Sequence, residues 1–187
     1  MTEINHSRRK WLALGGITLG VSAMFPSQLL AAVSTPKPRI LRMHNINTGE
    51  YFNSVFHEVK GFDAKALRKL TWFMRDKRNN KTRPMDPKLF SKLYRVQGLL
   101  GLRNTEIQII CGYRSPESNA AMHRRSRGVA SNSFHMKGQA IDFRIDGVSL
   151  AKVRHAAQSL NNGGVGFYPQ SNFIHVDTGP VRTWSGS

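Results

Sequence analysis

Ala140-Ile-Asp-Phe-Arg-Ile145 alternates apolar and polar residues, which is the pattern of a β-strand with one buried face. Phe173-Ile-His-Val-Asp177 repeats this pattern nearer the C-terminus. In the first stretch the isoleucines and the phenylalanine share one face, and Asp142 lies on the other. In the second stretch His175 and Asp177 lie opposite the isoleucine and the valine. The sequence therefore predicts two strands, each with an apolar side that packs in a core and a side that presents polar groups.

Three side chains in and near these strands form a candidate metal-binding set. His135 precedes Asp142 by seven residues, and His175 lies on the second predicted strand. Two neutral imidazoles and a carboxylate are three protein ligands, the number that a catalytic zinc uses when its fourth position is left for water. The competing interpretation is that each histidine only makes a structural hydrogen bond, as a single His–Asp pair commonly does. The same arrangement on two independent strands favours the metal site.

A longer pattern resembles a known group of peptidases. Cys111-Gly-Tyr-Arg-Ser-Pro-Glu-Ser-Asn119 is followed by Ser131-x-Ser-x-His-x-x-Gly-x-Ala-x-Asp142 and by His175-x-Asp177. This order of motifs resembles the D-Ala-D-Ala metallopeptidase superfamily, which also contains lysostaphin-type enzymes and the hedgehog signalling domain. The ending His-Val-Asp-Thr-Gly and the segment from Arg75 to Asp86 are similar to the YcbK-like murein endopeptidases, the murein endopeptidase K type.

The resemblance implies both a fold and an activity. The expected fold class is α+β, with a small antiparallel sheet that carries a single zinc site and is flanked by helices. The expected activity is hydrolysis of peptide cross-links in bacterial peptidoglycan by an endopeptidase with one Zn2+ per chain. Its metal ligands would be His135, Asp142 and His175. The alternatives are a carboxypeptidase that trims stem peptides and a peptidoglycan-binding module that keeps its zinc without catalysis.

The resemblance also suggests roles for residues around the metal. Arg114 occupies the arginine of the family's Tyr-Arg motif, which polarises the substrate carbonyl and stabilises the oxyanion. Its alternative role is an ion pair with Glu117 or another carboxylate. Gly138 is expected to serve backbone geometry. The candidates for binding substrate, or for shaping the turns around it, are Tyr113, Asn119, Ser131 and Ser133.

Asp177 is the predicted general base. It follows His175 by two residues on the same strand face, so both side chains can approach one metal. The alternative is that its carboxylate orients a ligand imidazole through a hydrogen bond. Better-known members of the superfamily place a glutamate or a histidine where this chain has Asn172 and Phe173. The base therefore cannot be carried over from them.

The N-terminal residues resemble an export signal. Ser7-Arg-Arg-Lys-Trp-Leu12 is a twin-arginine motif, and an uncharged stretch with several glycines runs from Trp11 to Ala32. A membrane anchor is the alternative, although the polar residues and glycines make the stretch a poor span. We therefore expect a signal peptide over residues 1–32, a linker over 33–38 and a zinc peptidase domain over 39–187. The expected route is the twin-arginine export machinery, with cleavage near Ala32 and release into a bacterial periplasm.

The composition narrows the range of partners. The formal charge is +17, and residues 1–32 hold three of the 28 basic and one of the 11 acidic residues, which leaves +15 afterwards. Such a field attracts polyanions, but a periplasmic address excludes nucleic acid and leaves anionic cell-wall polymer or lipid. His123-Arg-Arg-Ser-Arg127 could hold substrate carboxylates or form a solvated helix end. The single cysteine, Cys111, excludes an intrachain disulfide and is expected to be a small buried residue, with zinc ligation second.

The remaining pattern predicts elements around these strands. A hairpin turns at Asn47-Thr-Gly49, another strand runs from Thr105 to Cys111, and a closing hairpin joins Val165–Tyr168 to Phe173–Asp177. Helices are expected to begin after Asp63, Asp86, Ser115 and Ser149. No stretch marks an oligomerisation face, so a monomer is expected.

Overall fold

A single mixed sheet forms the centre of the part of the chain that the structure describes. The computed structural model describes residues 37–126 and 128–186. Its strands are β1 (Arg39–Asn45), β2 (Tyr51–Glu58), β3 (Gly61–Phe62), β4 (Ile107–Cys111), β5 (Ala140–Ile145), β6 (Gly164–Tyr168), β7 (Phe173–Asp177) and β8 (Arg182–Ser185). They lie in the order β3-β2-β1-β4-β5-β7-β6-β8. The two strands that carry Asp142 and His175 are therefore central neighbours.

The expected small antiparallel sheet is wrong in size and in direction. Within the described residues the sheet has eight strands, and two pairs are parallel, β1 with β4 and β6 with β8. Parallel neighbours need a long crossover, and two helices between β1 and β4 provide one. The crossover joins the predicted hairpins into one sheet. β8 was not predicted, because its four residues follow too closely on β7 to stand out as a strand.

The helices begin where the capping residues predict. They are α1 (Ala64–Phe73), α2 (Pro87–Leu99), α3 (Pro116–Arg125) and α4 (Leu150–Ser159), and a short 3-10 helix covers Phe134–Lys137. Asp63 accepts a hydrogen bond from the Ala66 amide, and Ser115 accepts one from the Ser118 amide at 3.2 Å. Each thereby satisfies an amide that has no partner within its helix.

The core lies on one face of the sheet. Helix α1 packs on β2, α2 packs on β1, and α4 packs on β5, β6 and β7. The apolar side chains of the two central strands are fully buried in this layer, namely Ile141, Phe143, Ile174 and Val176. Because neighbouring residues of a strand point to opposite faces, Asp142 and His175 lie on the other face. The core thus fixes the strands and leaves that face for polar chemistry.

Several predictions fall outside the described residues. These are the signal peptide of residues 1–32, most of the 33–38 linker and Arg127 of the basic segment. Among the helices of residues 37–126 and 128–186, none has the length and apolar character to cross a bilayer.

Candidate metal centre and cleft

The three predicted metal ligands converge on the polar face of the sheet. Asp142 and His175 are direct cross-strand partners on β5 and β7, and Asp142 Oδ1 lies 2.8 Å from His175 Nδ1. His135 reaches them from the 3-10 helix, with its Nε2 atom 3.2 Å from each of these two atoms. None of the three residues is more than 8% exposed. We call these three side chains the donor cluster.

A tightly fixed turn delivers His135 to the cluster. Ser133 caps the 3-10 helix, and its Oγ accepts a hydrogen bond from the His135 amide at 3.3 Å. Gly138 ends the helix in the left-handed conformation, with φ of 69°. A Cβ atom there would lie 2.4 Å from the Pro84 carbonyl oxygen, so the position needs glycine on both counts. The prediction that Gly138 serves backbone geometry is confirmed.

Each imidazole has one nitrogen that faces the donor cluster, the inner nitrogen, and one that faces away from it, the outer nitrogen. The partner of the outer nitrogen determines whether the inner nitrogen carries a proton or a lone pair. His135 Nδ1 lies 2.7 Å from the Gly112 carbonyl oxygen, and His175 Nε2 lies 3.1 Å from Asp177 Oδ2. Both neighbours are acceptors, which assigns the proton of each neutral ring to its outer nitrogen. The inner nitrogens then direct lone pairs at the Asp142 carboxylate. With both rings neutral, three electron-rich atoms would face one another, so the cluster favours a cation between them, either a proton or a metal ion.

The pKa values of the cluster follow from burial and neighbouring charge. Burial disfavours the charged form of His135, but Asp142 and Cys111 outweigh it and raise the pKa of His135 to about 10. Burial also opposes ionisation of Asp142, yet His135 and His175 hold the pKa of its carboxyl well below the usual range. The cluster therefore favours positive charge at neutral pH, and a metal ion that enters it displaces protons.

Cys111 lies beside the donor cluster. It pairs with Asp142 across β4 and β5, and its thiol, an Asp142 oxygen and a His135 nitrogen all lie within 4.8 Å of one another. His175 Nδ1 lies 2.8 Å from Asp142 Oδ1 and 3.2 Å from His135 Nε2. Cys111 and His175 therefore both lie close to the pair formed by His135 and Asp142. The Cys111 thiol is partly buried and also lies 3.7 Å from Arg114 Nη2.

Asp177 lies behind His175, away from the centre of the cluster. Its carboxylate accepts hydrogen bonds from the Gly164 and Gly179 amides, both at 2.9 Å. Arg182 binds both of its oxygens, at 3.1 and 2.6 Å, and His175 Nε2 completes the set. Asp177 is 0% exposed. Burial opposes its ionisation, but His175, Arg182 and the two amides hold its pKa well below the usual range.

Arg114 lies at the edge of the donor cluster. Its Nη1 donates to Asn119 Oδ1 at 3.2 Å, and its Nη2 lies 4.0 Å from Asp142 Oδ2. Among the residues that the structure describes, its buried Nε atom has no hydrogen-bond partner. The alternative ion pair with Glu117 is wrong, since Glu117 pairs with Lys81 on the surface, but the alternative of another carboxylate is met by Asp142. A fixed guanidinium with an unused donor is thus held next to the cluster.

The four predicted substrate contacts separate into two groups. Ser133 lines the main cleft, and Tyr113 lines a smaller compartment beside it. Asn119 is buried and donates to the carbonyl oxygens of Ala130 and Ser131, at 3.0 and 3.3 Å. These bonds join α3 to the loop that follows it, which contains Ser131. The side chains of Asn119 and Ser131 do not line the cleft.

The main cleft opens directly over the donor cluster and has a volume of about 510 Å³. Much of its wall is aromatic and was not predicted from the sequence. Trp184 lies against His175, with ring centroids 5.2 Å apart, and donates through Nε1 to the Tyr168 hydroxyl at 2.8 Å. Tyr168 in turn stacks on Phe173, with centroids 4.5 Å apart. The only features of the sequence that could have indicated this wall are Arg182 and Trp184 in the short strand β8.

Gly166 makes room for this wall. It pairs with His175 on one side and with Trp184 on the other. A Cβ atom at Gly166 would lie 2.6 Å from Trp184 Cε2, so a larger residue would displace the indole. The absence of a side chain at this position lets the indole cover the ligand strand.

A second compartment adjoins the cleft. It has a volume of about 180 Å³ and shares four lining residues with the cleft, namely Arg114, Met122, Asp142 and Phe173. The rest of its wall comes mainly from the turn after β1, the loop after α1 and the end of β4. The donor cluster therefore lies at the border between two cavities.

Comparison with known proteins places these features in a family. The family model described as peptidoglycan L,D-endopeptidase MepK matches residues 33–184. The chain is 61% identical over 186 residues to a Haemophilus influenzae protein named probable peptidoglycan L,D-endopeptidase MepK, with 100% of both chains covered. It is 50% identical over 184 residues to the Escherichia coli K12 peptidoglycan L,D-endopeptidase MepK, covering 98% of this chain and 100% of that one. No solved structure matches the chain.

Proposed function

The chain belongs to the peptidoglycan L,D-endopeptidase MepK family, and on that premise we propose that it is a zinc endopeptidase that hydrolyses L,D-configured peptide cross-links of bacterial peptidoglycan. The observation that carries this proposal is the convergence of His135, Asp142 and His175 beneath an open cleft. A wall-binding module without zinc would not need three buried donors at that place, and one that kept its zinc would bind cell wall without cutting it.

The donor cluster fits one zinc ion. In a tetrahedral site with metal–ligand distances of about 2.0–2.1 Å, neighbouring donor atoms are about 3.3 Å apart. Here the three separations are 2.8, 3.2 and 3.2 Å. Two imidazole nitrogens and a carboxylate oxygen leave a position for water or substrate, as in catalytic zinc sites. Both histidines also have the outer hydrogen-bond acceptors that zinc ligands use.

The chain's own residues divide the remaining work. When bound, zinc supplies Lewis-acid chemistry, polarising the peptide carbonyl and lowering the pKa of water. Arg114 is positioned to stabilise the negative charge that develops on the carbonyl oxygen. Asn119 holds its guanidinium near Asp142, so the charge needs no rearrangement when it is used. The aromatic wall around Trp184 restricts access of bulk water from one side.

We assign Asp177 to positioning His175, which is the second of its two predicted roles. Its two oxygens already accept from His175, from Arg182 and from two amides, which leaves no free lone pair for a water molecule. It lines neither cavity. Its low pKa also makes it a weak proton acceptor. A carboxylate behind a ligand imidazole fixes the ring and raises its basicity.

The address and the partners are parts of the same proposal. A net charge of +17 suits an anionic polymer such as cell wall, and the twin-arginine segment suits export to the periplasm by the twin-arginine machinery. We propose a monomer that acts there on peptidoglycan without nucleic acid.

The direct test uses the mature protein and cross-linked muropeptides. Metal is removed with a chelator and zinc is restored, and the products are followed by mass spectrometry. Conversion of dimers to monomers that stops on chelation and returns with zinc supports the proposal, and the fragment masses identify the bond. Release of a terminal residue from monomeric stems would instead favour the carboxypeptidase. Binding of cell wall by a zinc-loaded protein that never cuts it would favour the binding module.

Arg114→Ala tests the role of the guanidinium. We expect the variant to keep its zinc and its melting temperature while kcat falls about 10²–10³-fold, as on removal of an oxyanion donor. Arg68→Ala is the matched control, because Arg68 is an exposed arginine of α1 that lines neither cavity. Loss of zinc as the main effect would contradict the assigned role.

A further inference from the structure

The small compartment beside the cleft is lined by positively charged side chains that have no role in the proposed catalysis. Its wall includes Arg75, Lys77 and Arg78 from the loop after α1, together with Asn45 at the end of β1 and Asn47 in the turn that follows. We call this cavity of about 180 Å³ the basic compartment.

Its place relative to the donor cluster suggests its use. Asp142 and Arg114 line both the main cleft and the basic compartment. If the protein is the endopeptidase proposed above, on which this inference rests, the scissile bond lies at this border. The substrate residues on one side of the bond then occupy the main cleft, and those on the other side meet the basic compartment.

Not all of the charges in the compartment are available to a ligand. Arg75 is committed to Glu50, at 2.6 Å, and stacks over the Trp72 ring at 4.2 Å. Lys77 and Arg78 are exposed. Lys77 donates to the neutral amide oxygen of Asn47, which leaves its charge uncompensated. Arg78 has only a long 3.6 Å contact with Asp76.

The carboxylate of Asp76 is used to build the loop. Asp76 is 1% exposed and accepts from the amides of Ser115 at 2.9 Å and Arg78 at 3.0 Å. Burial opposes its ionisation, but these amides and nearby serine hydroxyls hold its pKa below the usual value. Its negative charge is therefore buried beneath the loop, while the two cations above it face solvent.

Hydrogen bonds also fix the main chain of the loop that carries these two cations. The Asp76 amide donates to the Lys81 carbonyl oxygen at 2.9 Å, and the Asn80 amide donates back to the Asp76 carbonyl oxygen at 2.8 Å. Asn80 takes the left-handed conformation with φ of 57°, and Asn79 donates to the Ser115 hydroxyl at 2.8 Å. A loop closed in this way loses little entropy when it binds an anion.

We propose that the basic compartment is a substrate subsite for a residue that bears a free carboxylate, which Lys77 and Arg78 recognise. Cationic side chains carried by a loop with a fixed main chain suit a carboxylate better than an apolar or cationic group. The compartment would thereby select among peptides that present the same scissile bond.

The test varies the charge on both partners. Wild type, Arg78→Gln, Lys77→Met and the double variant are assayed on two cross-linked peptides, one with free side-chain carboxylates and one with these groups converted to carboxamides. For wild type we expect kcat/KM to be about tenfold higher on the free acid. In the double variant that preference should fall to about twofold, with activity on the carboxamide unchanged. The matched controls on α1, Arg68→Gln and Lys69→Met, remove the same charges from exposed sites outside both cavities and should keep the full preference.

Each outcome has a distinct meaning. A wild-type enzyme that cuts both peptides equally well, or variants that lose activity equally on both, would overturn the subsite and leave the endopeptidase intact. A zinc-loaded wild type that cuts neither peptide, nor cross-linked peptidoglycan, would instead overturn the proposed function. Loss of preference in the α1 controls would reassign the effect to the overall field of the protein.

Discussion

The two histidines of the donor cluster are held in different ways. His135 lies on a capped 3-10 turn, and its outer nitrogen faces the neutral main-chain carbonyl of Gly112. His175 lies on a central strand, and its outer nitrogen faces the carboxylate of Asp177, which Arg182 and two amides hold in turn. One ligand is fixed by backbone and the other by a network of charged side chains.

The difference shows which of the two histidines offers a way to change metal affinity by substitution of a neighbouring residue. No side-chain substitution removes the Gly112 carbonyl, so the His135 side changes only if the turn itself changes. The carboxylate behind His175 fixes the orientation of that imidazole as a metal ligand, and a substitution at Asp177 can weaken this support in steps. Changes of metal affinity should therefore come mainly through the His175 side.

Replacing either histidine should have the same effect, although the two are held in different ways. His135→Ala and His175→Ala each leave two donors, so both variants should lose zinc and at least about a thousandfold in activity, since the metal contributes several kcal/mol to catalysis. Metal content by mass spectrometry and cleavage of muropeptides check this. His155→Ala, an exposed histidine of α4, is the control. A variant that keeps both zinc and turnover would remove that histidine from the ligand set.

Lys92, which contacts Asp177 behind His175, should make the free energy of unfolding depend on pH. It is 1% exposed, and its Nζ donates to the main-chain oxygen of Asp177 at 2.7 Å. Burial is the main cause that lowers its pKa to about 8 from 10.5. Below pH 8 the lysine is charged in both states. Between pH 8 and 10.5 only the unfolded chain keeps the proton, so the free energy of unfolding should rise with pH by about 3 kcal/mol.

Urea denaturation of wild type and Lys92→Met across that pH range checks the effect. The variant has no titrating group at this position, so its free energy of unfolding should lack the rise. Lys152→Met, on the exposed surface of α4, should keep it. Parallel curves for wild type and Lys92→Met would show that Lys92 is not the titrating group.

Asp177→Asn separates the two roles of the carboxylate. We expect zinc affinity to fall about 10–100-fold, because the neutral amide supports the His175 imidazole less strongly than the carboxylate does. At saturating zinc, kcat and its pH profile should stay close to wild type. Chelator competition and pH–rate profiles measure the two effects, with Asp146→Asn as an exposed control. A collapse of kcat at full zinc occupancy would restore Asp177 as the general base.

Ser133→Ala should have the smallest effect. It removes the cap of the 3-10 helix that carries His135, which costs about 1 kcal/mol of stability. Metal affinity should change less than in Asp177→Asn, because the Gly112 contact is unaffected. Thermal melts and chelator competition test both statements. A loss of affinity as large as that of Asp177→Asn would mean that the two histidines are equally adjustable.

Local patterns in the sequence predicted the elements that depend on neighbouring residues. Alternation located β5 and β7, and the caps at Asp63 and Ser115 located two helices. The parallel pairing of β1 with β4 depends on a crossover of more than sixty residues, which no local pattern encodes. The sheet was therefore predicted too small and wholly antiparallel.

The residues of the site also divide into those that local sequence patterns predict and those that depend on the three-dimensional fold. The three donors could be named from their spacing and strand face, and the structure brings them together. The role of Asp177 could not be decided, because it depends on which way the carboxylate turns and on Arg182 five residues later. Trp184 and Arg78 also escaped notice, since they reach the site only through the pairing of β8 and the fold of a loop.

The cross-strand pairing of Asp142 with His175 links the ion to the folding of the chain. A slip of one residue between β5 and β7 would place Ile141 or Phe143 opposite His175 and send the carboxylate to the other side of the sheet. Such a chain would have no pocket for the cation. Because a ligand stabilises only the state that binds it, the ion lowers the free energy of correctly paired molecules alone. On the proposed ligand set, metal binding would therefore favour the correct register of β5 and β7 as well as complete the active site.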